Sequence, residues 1–455
     1  AVKRSYGYDR TGNLTHSTDQ RTGTTHFEYD KLGRITQAGS ERFVFDPAHN
    51  ILDIPTEKVK PYPTPSDVGE GKTTVPLSDG RSAVTDNRLK TYNGTTYYYD
   101  NLGNLIHREL ADGEVQNYFY DLHDQLVKVE IFKKDGSKET WAYRYDALGR
   151  RIGKGRLKNE EVSDGLEEET RFVWDGSHLL QEVHPDGRYT YIYTDPDSYE
   201  PLAQVHNWTN EEGESRQQTH YFHCDQIGIP REMTDGEGNL VWFGDYYGWG
   251  KLKSETNVTD SAYQPFRLQN QYADRETGLH YNFFRYYEPD AGRFVNQDPI
   301  GLMGGENFYA FAPNAQVWVD PLGLNKCCEN SKVKTEPNTA FFWSGRTDGI
   351  GGQHIAADIA KSNGGTTLEM LIEARKIIMP TWDQNNQASI KAWEDISSEY
   401  ATCASGTVTG VIGKDLRPGN IWENRELPAL KNNPNITKIV IIDPKTKIST
   451  VIFQR

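Results

Sequence analysis

Through the first two thirds of the chain, aromatic and β-branched residues come in short runs separated by polar turn residues. The run Thr96-Tyr97-Tyr98-Tyr99, followed by Asp100, is typical. Such runs predict strands. The Asp begins a turn, and a Gly two or three residues later supplies the positive φ that a tight turn needs. The unit recurs. Tyr8-Asp9 precedes Arg10-Thr11-Gly12, Tyr29-Asp30 precedes Lys31-Leu32-Gly33, Tyr99-Asp100 precedes Asn101-Leu102-Gly103, and Tyr145-Asp146 precedes Ala147-Leu148-Gly149. Looser copies stand at Phe45-Asp46, Tyr120-Asp121 and Trp174-Asp175. A hairpin alone buries little apolar surface, so many must pair side by side, and a long sheet must then hide its edges by curling or closing.

Past residue 324 the pattern changes. Apolar residues at helical spacing predict a helix over Thr367–Ile378, stopped by Pro380. A second helix is predicted over Ala388–Ser405, where Trp393, Ile396, Tyr400 and Cys403 fall three to four apart and Gly406 is a stop. Val408–Ile412 reads as a strand, and Ile436–Ile442 and Ile448–Phe453 flank Asp443-Pro444-Lys445-Thr446-Lys447 in the form of a hairpin. The 131 residues from 325 to 455 thus predict an α/β domain large enough for its own core.

Composition agrees with the split. Hydrophobic residues make up 36% of the chain while aromatics reach 12% with 26 Tyr, poor in aliphatics and rich in strand formers. The net charge is −15, yet residues 325–455 carry 16 basic and 14 acidic side chains, so nearly all the negative charge lies before residue 325. An acidic scaffold argues against nucleic-acid binding. No apolar stretch is long enough to span a membrane as a helix. The first residues, Ala1-Val2-Lys3-Arg4-Ser5-Tyr6, have no signal-peptide pattern and start inside a repeat, as a fragment of something longer would. Four cysteines, Cys224, Cys327, Cys328 and Cys403, are too few for a disulfide framework, and the adjacent pair lacks metal-ligand spacing; a reducing compartment and no metal are expected.

The repeats resemble the YD repeats of Rhs proteins and of insecticidal toxin-complex C subunits, which implies an all-β shell fragment, a spiral of β-hairpins, in residues 1–265. Residues 266–324 are similar to the Rhs-associated core module through Phe266–Tyr272, Thr277–Tyr281, Arg285-Tyr286-Tyr287, Gly292-Arg293-Phe294, Asp298-Pro299-Ile300-Gly301, Asn307-Phe308-Tyr309 and Asp320-Pro321-Leu322-Gly323-Leu324. That resemblance implies self-cleavage after Leu324, with Asp298 and Asp320 acting as in an aspartic protease. Two carboxylates sharing a proton can activate water and protonate the leaving amide; both are also ordinary Asp-Pro turn formers.

In the tail, four motifs follow in order: Phe341-Phe342-Trp343-Ser344-Gly345-Arg346, Thr366-Thr367-Leu368-Glu369, Trp393 with Ser397, and Asn420 through Glu426-Leu427. The set resembles the ADP-ribosyl cyclase and NAD glycohydrolase family over residues 341–443. The resemblance implies Glu426 as the catalytic carboxylate, Trp343 and Trp393 as the walls holding nicotinamide, and Glu369 as the group choosing between hydrolysis and cyclisation. It further implies Ser344, Arg346 and Ser397 as contacts to the rest of NAD. NAD would be substrate, with no cofactor and no metal; the disulfides of the animal enzymes are absent. Position by position, each Trp is equally a core residue and each Glu a solvated or helix-end charge. Only one histidine, His354, lies in the tail, which disfavours a paired-histidine nuclease.

The function implied is a secreted Rhs toxin that depletes NAD in the cytoplasm of rival cells. It would be delivered by a specialised secretion apparatus with an upstream Rhs scaffold and matched by a cognate immunity protein. An ADP-ribosyltransferase toxin and a non-enzymatic adhesion protein, as YD repeats serve in teneurins, are the alternatives.

Overall fold

A computed structural model describes residues 3–10, 12–53, 84–158, 165–195, 198–259, 262–324, 333–377, 379–383, 386–433 and 435–454. The chain divides into two units, Ala1–Lys326 and Cys327–Arg455.

The first unit is built of antiparallel sheets. Five strands from Arg4–Tyr8 to Glu41–Arg42 form one sheet, and fifteen from Thr91–Tyr92 to Leu252–Asn257 form another, each strand beside its sequence neighbour. The turns explain that regularity. The Asp100 N–H donates to the Asn104 carbonyl at 3.0 Å, its carboxylate accepts from the Asn104 N–H at 2.8 Å, and Gly103 sits at φ 88°. The same closure recurs at Asp9, Asp30, Asp121 and Asp146.

The tyrosine before Asp30, Asp121 and Asp146 has a second task. Its hydroxyl donates to a backbone carbonyl of the preceding hairpin: Tyr29 to Leu14 at 2.9 Å, Tyr120 to Leu105 at 3.0 Å and Tyr145 to Leu126 at 2.8 Å. Trp174 does the same with its indole N–H, to Arg151 at 2.7 Å. These half-buried side chains stand at sites where the register shifts by a bulge, as at Phe119/Tyr120 and Arg144/Tyr145. Tyrosine therefore satisfies a carbonyl that the bulge would otherwise leave unpaired.

Residues 262–324 pack against the large sheet with a four-stranded sheet, Tyr272–Ala273 to Arg293–Phe294. Fully buried Arg151 pairs with both oxygens of Asp274, at 2.6 and 3.0 Å, inside a cage of Tyr143, Phe172, Tyr272 and Tyr281. Leaving either charge alone there would cost about 3–5 kcal/mol.

The second unit is α/β. Its five-stranded sheet runs in the order Thr366–Thr367, Ala340–Ser344, Gly406–Ile412, Ile436–Ile442, Ser449–Gln454. The first three pairings are parallel and the last is antiparallel. Helices α1 (Gln353–Ser362), α2 (Leu368–Ala374), α3 (Gln387–Thr402) and α4 (Leu427–Asn432) connect them. Phe341, Ala356, Ala360 and Val411 form a core cluster against which Trp343, Ile359 and Met370 pack.

Several sequence expectations need correction. The helix expected over Thr367–Ile378 ends at Ala374, because Lys376 turns to φ 53° two residues later. The helix expected to reach Ser405 ends at Thr402. Cys403 is in a disulfide, against the expectation of none; its partner lies outside the described residues, as do Cys327 and Cys328. Among the described residues no helix is long and apolar enough to cross a membrane.

Candidate functional site

Three parallel strands of the second unit end on the same side, and chemistry-bearing residues follow each. In sheets of this kind ligands bind outside the carboxyl ends of the strands. Trp343 is the penultimate residue of the strand Ala340–Ser344. Glu369 enters the first turn of α2 directly after Thr366–Thr367, where the Thr367 hydroxyl caps the helix through the Met370 N–H. Glu426 ends a π-helical turn, Trp422–Glu426, reached from the strand Gly406–Ile412.

The pieces are joined. The Trp343 indole N–H donates to Glu369 Oε1 at 2.8 Å. Glu369 Oε2 is buried and has no hydrogen-bond partner among the described residues. Glu426 is only 7% exposed. Burial pushes its carboxyl up to about 8, the Glu369 carboxylate adds to the rise, and the Ser397 hydroxyl hydrogen-bonded to it opposes it. Buried Glu426 and Ser397 thus meet the half-buried Glu369 and Trp343, with an unused acceptor on Glu369.

Two neighbours to which the sequence assigned no role, Tyr400 and Asn420, hold this arrangement. Tyr400 on α3 accepts the Phe341 N–H at 3.1 Å and reaches the Thr366 carbonyl at 2.7 Å, locking the helix that carries Ser397 onto two strands. Asn420 accepts the Glu423 N–H at 3.0 Å and donates to the Arg417 carbonyl at 2.9 Å. The Ser344 hydroxyl lies 3.5 Å from Asn420 Oδ1, so the head of the π-helical turn is tied to the strand that carries Trp343. Trp422 is core, packed on Phe342. No sequence signal marks the π-turn, though such turns cluster at functional sites.

The remaining expected residues lie nearby or apart. Trp393 is half-buried on α3, one turn before Ser397, and its indole N–H donates to the Pro380 carbonyl at 2.9 Å. Arg346 is exposed, its backbone paired with Gly351 and Asp415. His354 is exposed on α1. No group of three or more His, Cys, Asp or Glu is placed to hold a metal among the described residues.

The first unit holds a second constellation. Buried Arg285 lies between Asp298, at 3.2 Å, and Asp320, at 3.4 Å. Its Nε also donates to the Gly323 carbonyl, and Asp320 Oδ1 accepts the Leu324 N–H at 3.1 Å. A Cβ added to Gly304 would overlap the Asp298 carboxylate and stand 3.2 Å from the Leu324 carbonyl, so that carboxylate and that peptide group are close neighbours. Burial pushes the Asp298 carboxyl up to about 6, against the pull of Arg285 and the Ile300 N–H. One Arg285 nitrogen contacts both aspartates, a partner that the sequence did not supply.

These features define a YD-repeat β scaffold followed by a separate small α/β domain. Comparison with known proteins names the type. The RHS Repeat model matches residues 8–51 and the RHS protein model residues 219–256, both within the first unit. The chain is 37% identical to double-stranded DNA deaminase toxin A of Burkholderia cenocepacia, over 70% of this chain and 22% of the relative. It is 33% identical to toxin protein Tse5 of Pseudomonas aeruginosa, over 71% and 27%. It is 31% identical to the tRNA3(Ser)-specific nuclease WapA of Bacillus spizizenii, over 56% and 10%. The chain thus spans about a quarter or less of the length of these relatives. Among solved structures, a TcdB2-TccC3-Cdc42 crystal structure matches 71% of this chain and 18% of its own at 18% identity and TM-score 0.40. An ADP ribosyl cyclase complexed with N1-cIDPR matches 24% of this chain and 50% of its own at 25% identity and TM-score 0.19.

Proposed function

We propose that this chain is a polymorphic toxin of the Rhs type whose second unit cleaves NAD at the nicotinamide–ribose bond. The observation that carries this reading is the buried carboxyl Glu426 beside Glu369, whose other oxygen is held by the Trp343 indole. As the C1′–N bond breaks, its electron pair leaves with nicotinamide and positive charge builds on the anomeric carbon. An ionised Glu426 facing that carbon stabilises the charge in a site of low dielectric. Trp343 and Trp393 offer aromatic faces to the cationic nicotinamide ring. Water then adds to the anomeric carbon and loses a proton, giving ADP-ribose; attack by the adenine instead gives the cyclic product. At rest the raised Glu426 holds a proton. A cationic ring entering the site favours its release, so substrate binding and ionisation reinforce one another.

Incubating the full chain with NAD and following nicotinamide tests the reading. Release by the parent and its loss in Glu426→Gln support it; undiminished release in that variant overturns it. A labelled protein or RNA in place of free ADP-ribose would point to the transferase alternative. The relatives named as a deaminase and a nuclease point to nucleic-acid chemistry; the single, exposed His354 disfavours a paired-histidine nuclease in this unit.

For the first unit we infer self-cleavage after Leu324. Asp298, close to the Leu324 carbonyl and raised toward neutrality, is the proton donor, while Arg285 contacts both aspartates and fixes the Gly323 carbonyl. The reading also implies a cognate immunity protein, because a producer must survive its own enzyme.

A further inference from the structure

The loop Met379–Asp383 exposes an indole that packing does not explain. Trp382 is 37% exposed, whereas Trp422 of the same unit is buried in the core. Yet the loop that carries Trp382 is fastened. The Pro380 carbonyl accepts the Trp393 indole N–H at 2.9 Å, the Thr381 carbonyl accepts the Ser389 hydroxyl at 2.9 Å, and the Asp383 N–H donates to the same hydroxyl at 3.0 Å. All three bonds run to α3, the helix that brings Ser397 to Glu426.

From the other side, the Arg417 guanidinium stands over the Trp382 ring, 5.5 Å from its centre. Arg417 is exposed and has no carboxylate partner among the described residues. Its carbonyl accepts the Asn420 amide, so it belongs to the segment that leads into the π-helical turn ending at Glu426. An exposed indole and an uncompensated guanidinium are therefore fixed to the two elements that deliver Ser397 and Glu426.

Resting on the NAD reading, we propose that Trp382 and Arg417 form the subsite for the adenosine-diphosphate half of the dinucleotide. Every purine has a π-face that an indole can stack on, and stacking of this kind is sequence-tolerant and strong. A guanidinium presents a planar fork of donors to phosphate oxygens and does not lose its charge. With nicotinamide held at Trp343 and Glu426, the rest of the molecule runs out along the wall formed by Trp393 and the loop fastened to it. Dinucleotide substrates are then preferred over nicotinamide mononucleotide, which lacks the adenosine.

The test has two arms, both on the full chain. In the first, kcat/KM is measured for NAD and for nicotinamide mononucleotide in the parent, Trp382→Ala and Arg417→Ala. The preference for NAD should fall about tenfold or more in each variant, through KM rather than kcat; an unchanged preference in both overturns the proposal. In the second, binding of ADP alone is measured by calorimetry. Binding by the parent that is weakened in both variants supports the subsite whether or not NAD is turned over. ADP binding without nicotinamide release would overturn the hydrolase reading and leave the subsite standing. Nicotinamide release from NAD with no binding of ADP would do the reverse.

Discussion

Replacing Glu426 by Gln should stabilise the second unit while abolishing its chemistry, and the size of the gain can be worked out. The carboxyl titrates near 4.5 when unfolded and is raised to about 8 when folded. Between those values the native state holds a proton that the unfolded state has lost. The unfolded state then binds fewer protons, so stability falls as pH rises, by about 1.4 kcal/mol per pH unit. Below pH 4.5 both states are protonated and nothing is lost. At pH 7 the deficit is about 3 kcal/mol, and above pH 8 it reaches about 5 kcal/mol. Glutamine keeps the shape and cannot ionise, so it removes the deficit. For a domain near this size, about 3 kcal/mol is on the order of 10 °C in Tm. Scanning calorimetry of parent and Glu426→Gln from pH 4 to 9 should show melting temperatures that coincide at pH 4 and diverge upward for the variant as pH rises. Curves that stay parallel across that range, or a variant less stable at pH 8, would refute a buried carboxyl that pays an ionisation penalty.

Three further outcomes follow from the same coordinates. The pH profile of kcat/KM for nicotinamide release should rise as Glu426 ionises and level off above about 8; in Glu369→Gln the removal of the like charge should move that limb to lower pH, and a limb that stays put would exclude coupling between the two. Asp298→Asn and Gly304→Ala should each leave the full chain uncut after Leu324, the second by driving a methyl group into the Asp298 carboxylate; mass spectrometry showing cleavage at the parent's rate in both would remove Asp298 from the reaction. Tyr145→Phe should destabilise the first unit by about 1–3 kcal/mol, since its hydroxyl serves both the Leu126 carbonyl and Tyr286 at 2.8 Å; a denaturant midpoint equal to the parent's would show the hydroxyl to be dispensable.

The repeat turns were legible because their causes are local. Asp100, Asn104 and Gly103 fix one another within five residues, so the sequence carries the whole turn. The reason for tyrosine was not legible, since the carbonyl that Tyr145 satisfies belongs to Leu126 on an earlier hairpin. The hairpin Ile436–Ile442 with Ser449–Gln454 was readable from its turn. The interior strand Ala340–Ser344 was not, because it is covered on both faces and shows no alternation. Helix α1 also escaped: it follows Gly352 with no capping side chain, and two of its core contacts are the small Ala356 and Ala360. At the candidate site, order along the chain named Trp343, Glu369, Ser397 and Glu426. It could not supply Tyr400 and Asn420, whose importance lies in backbone groups they meet only in three dimensions, nor Arg285 between two aspartates.

What sets the candidate site apart from the rest of the second unit is that several local rules are broken together. A helix gains nothing from a π-helical turn, a buried carboxyl with a raised pKa lowers stability at neutral pH, and a buried oxygen without a partner wastes a hydrogen bond. Other element ends of the unit are closed in the ordinary way: Thr367 caps α2, and Asn433 closes the C-terminal end of α3 by donating to the Thr402 and Ala404 carbonyls at 2.8 and 2.9 Å. Strain scattered at random would not gather on Glu426, Glu369 and the turn that carries one of them. Where each departure weakens the fold and all of them gather on two neighbouring carboxyls and an open acceptor, a ligand that brings positive charge is the simplest agent to offset them.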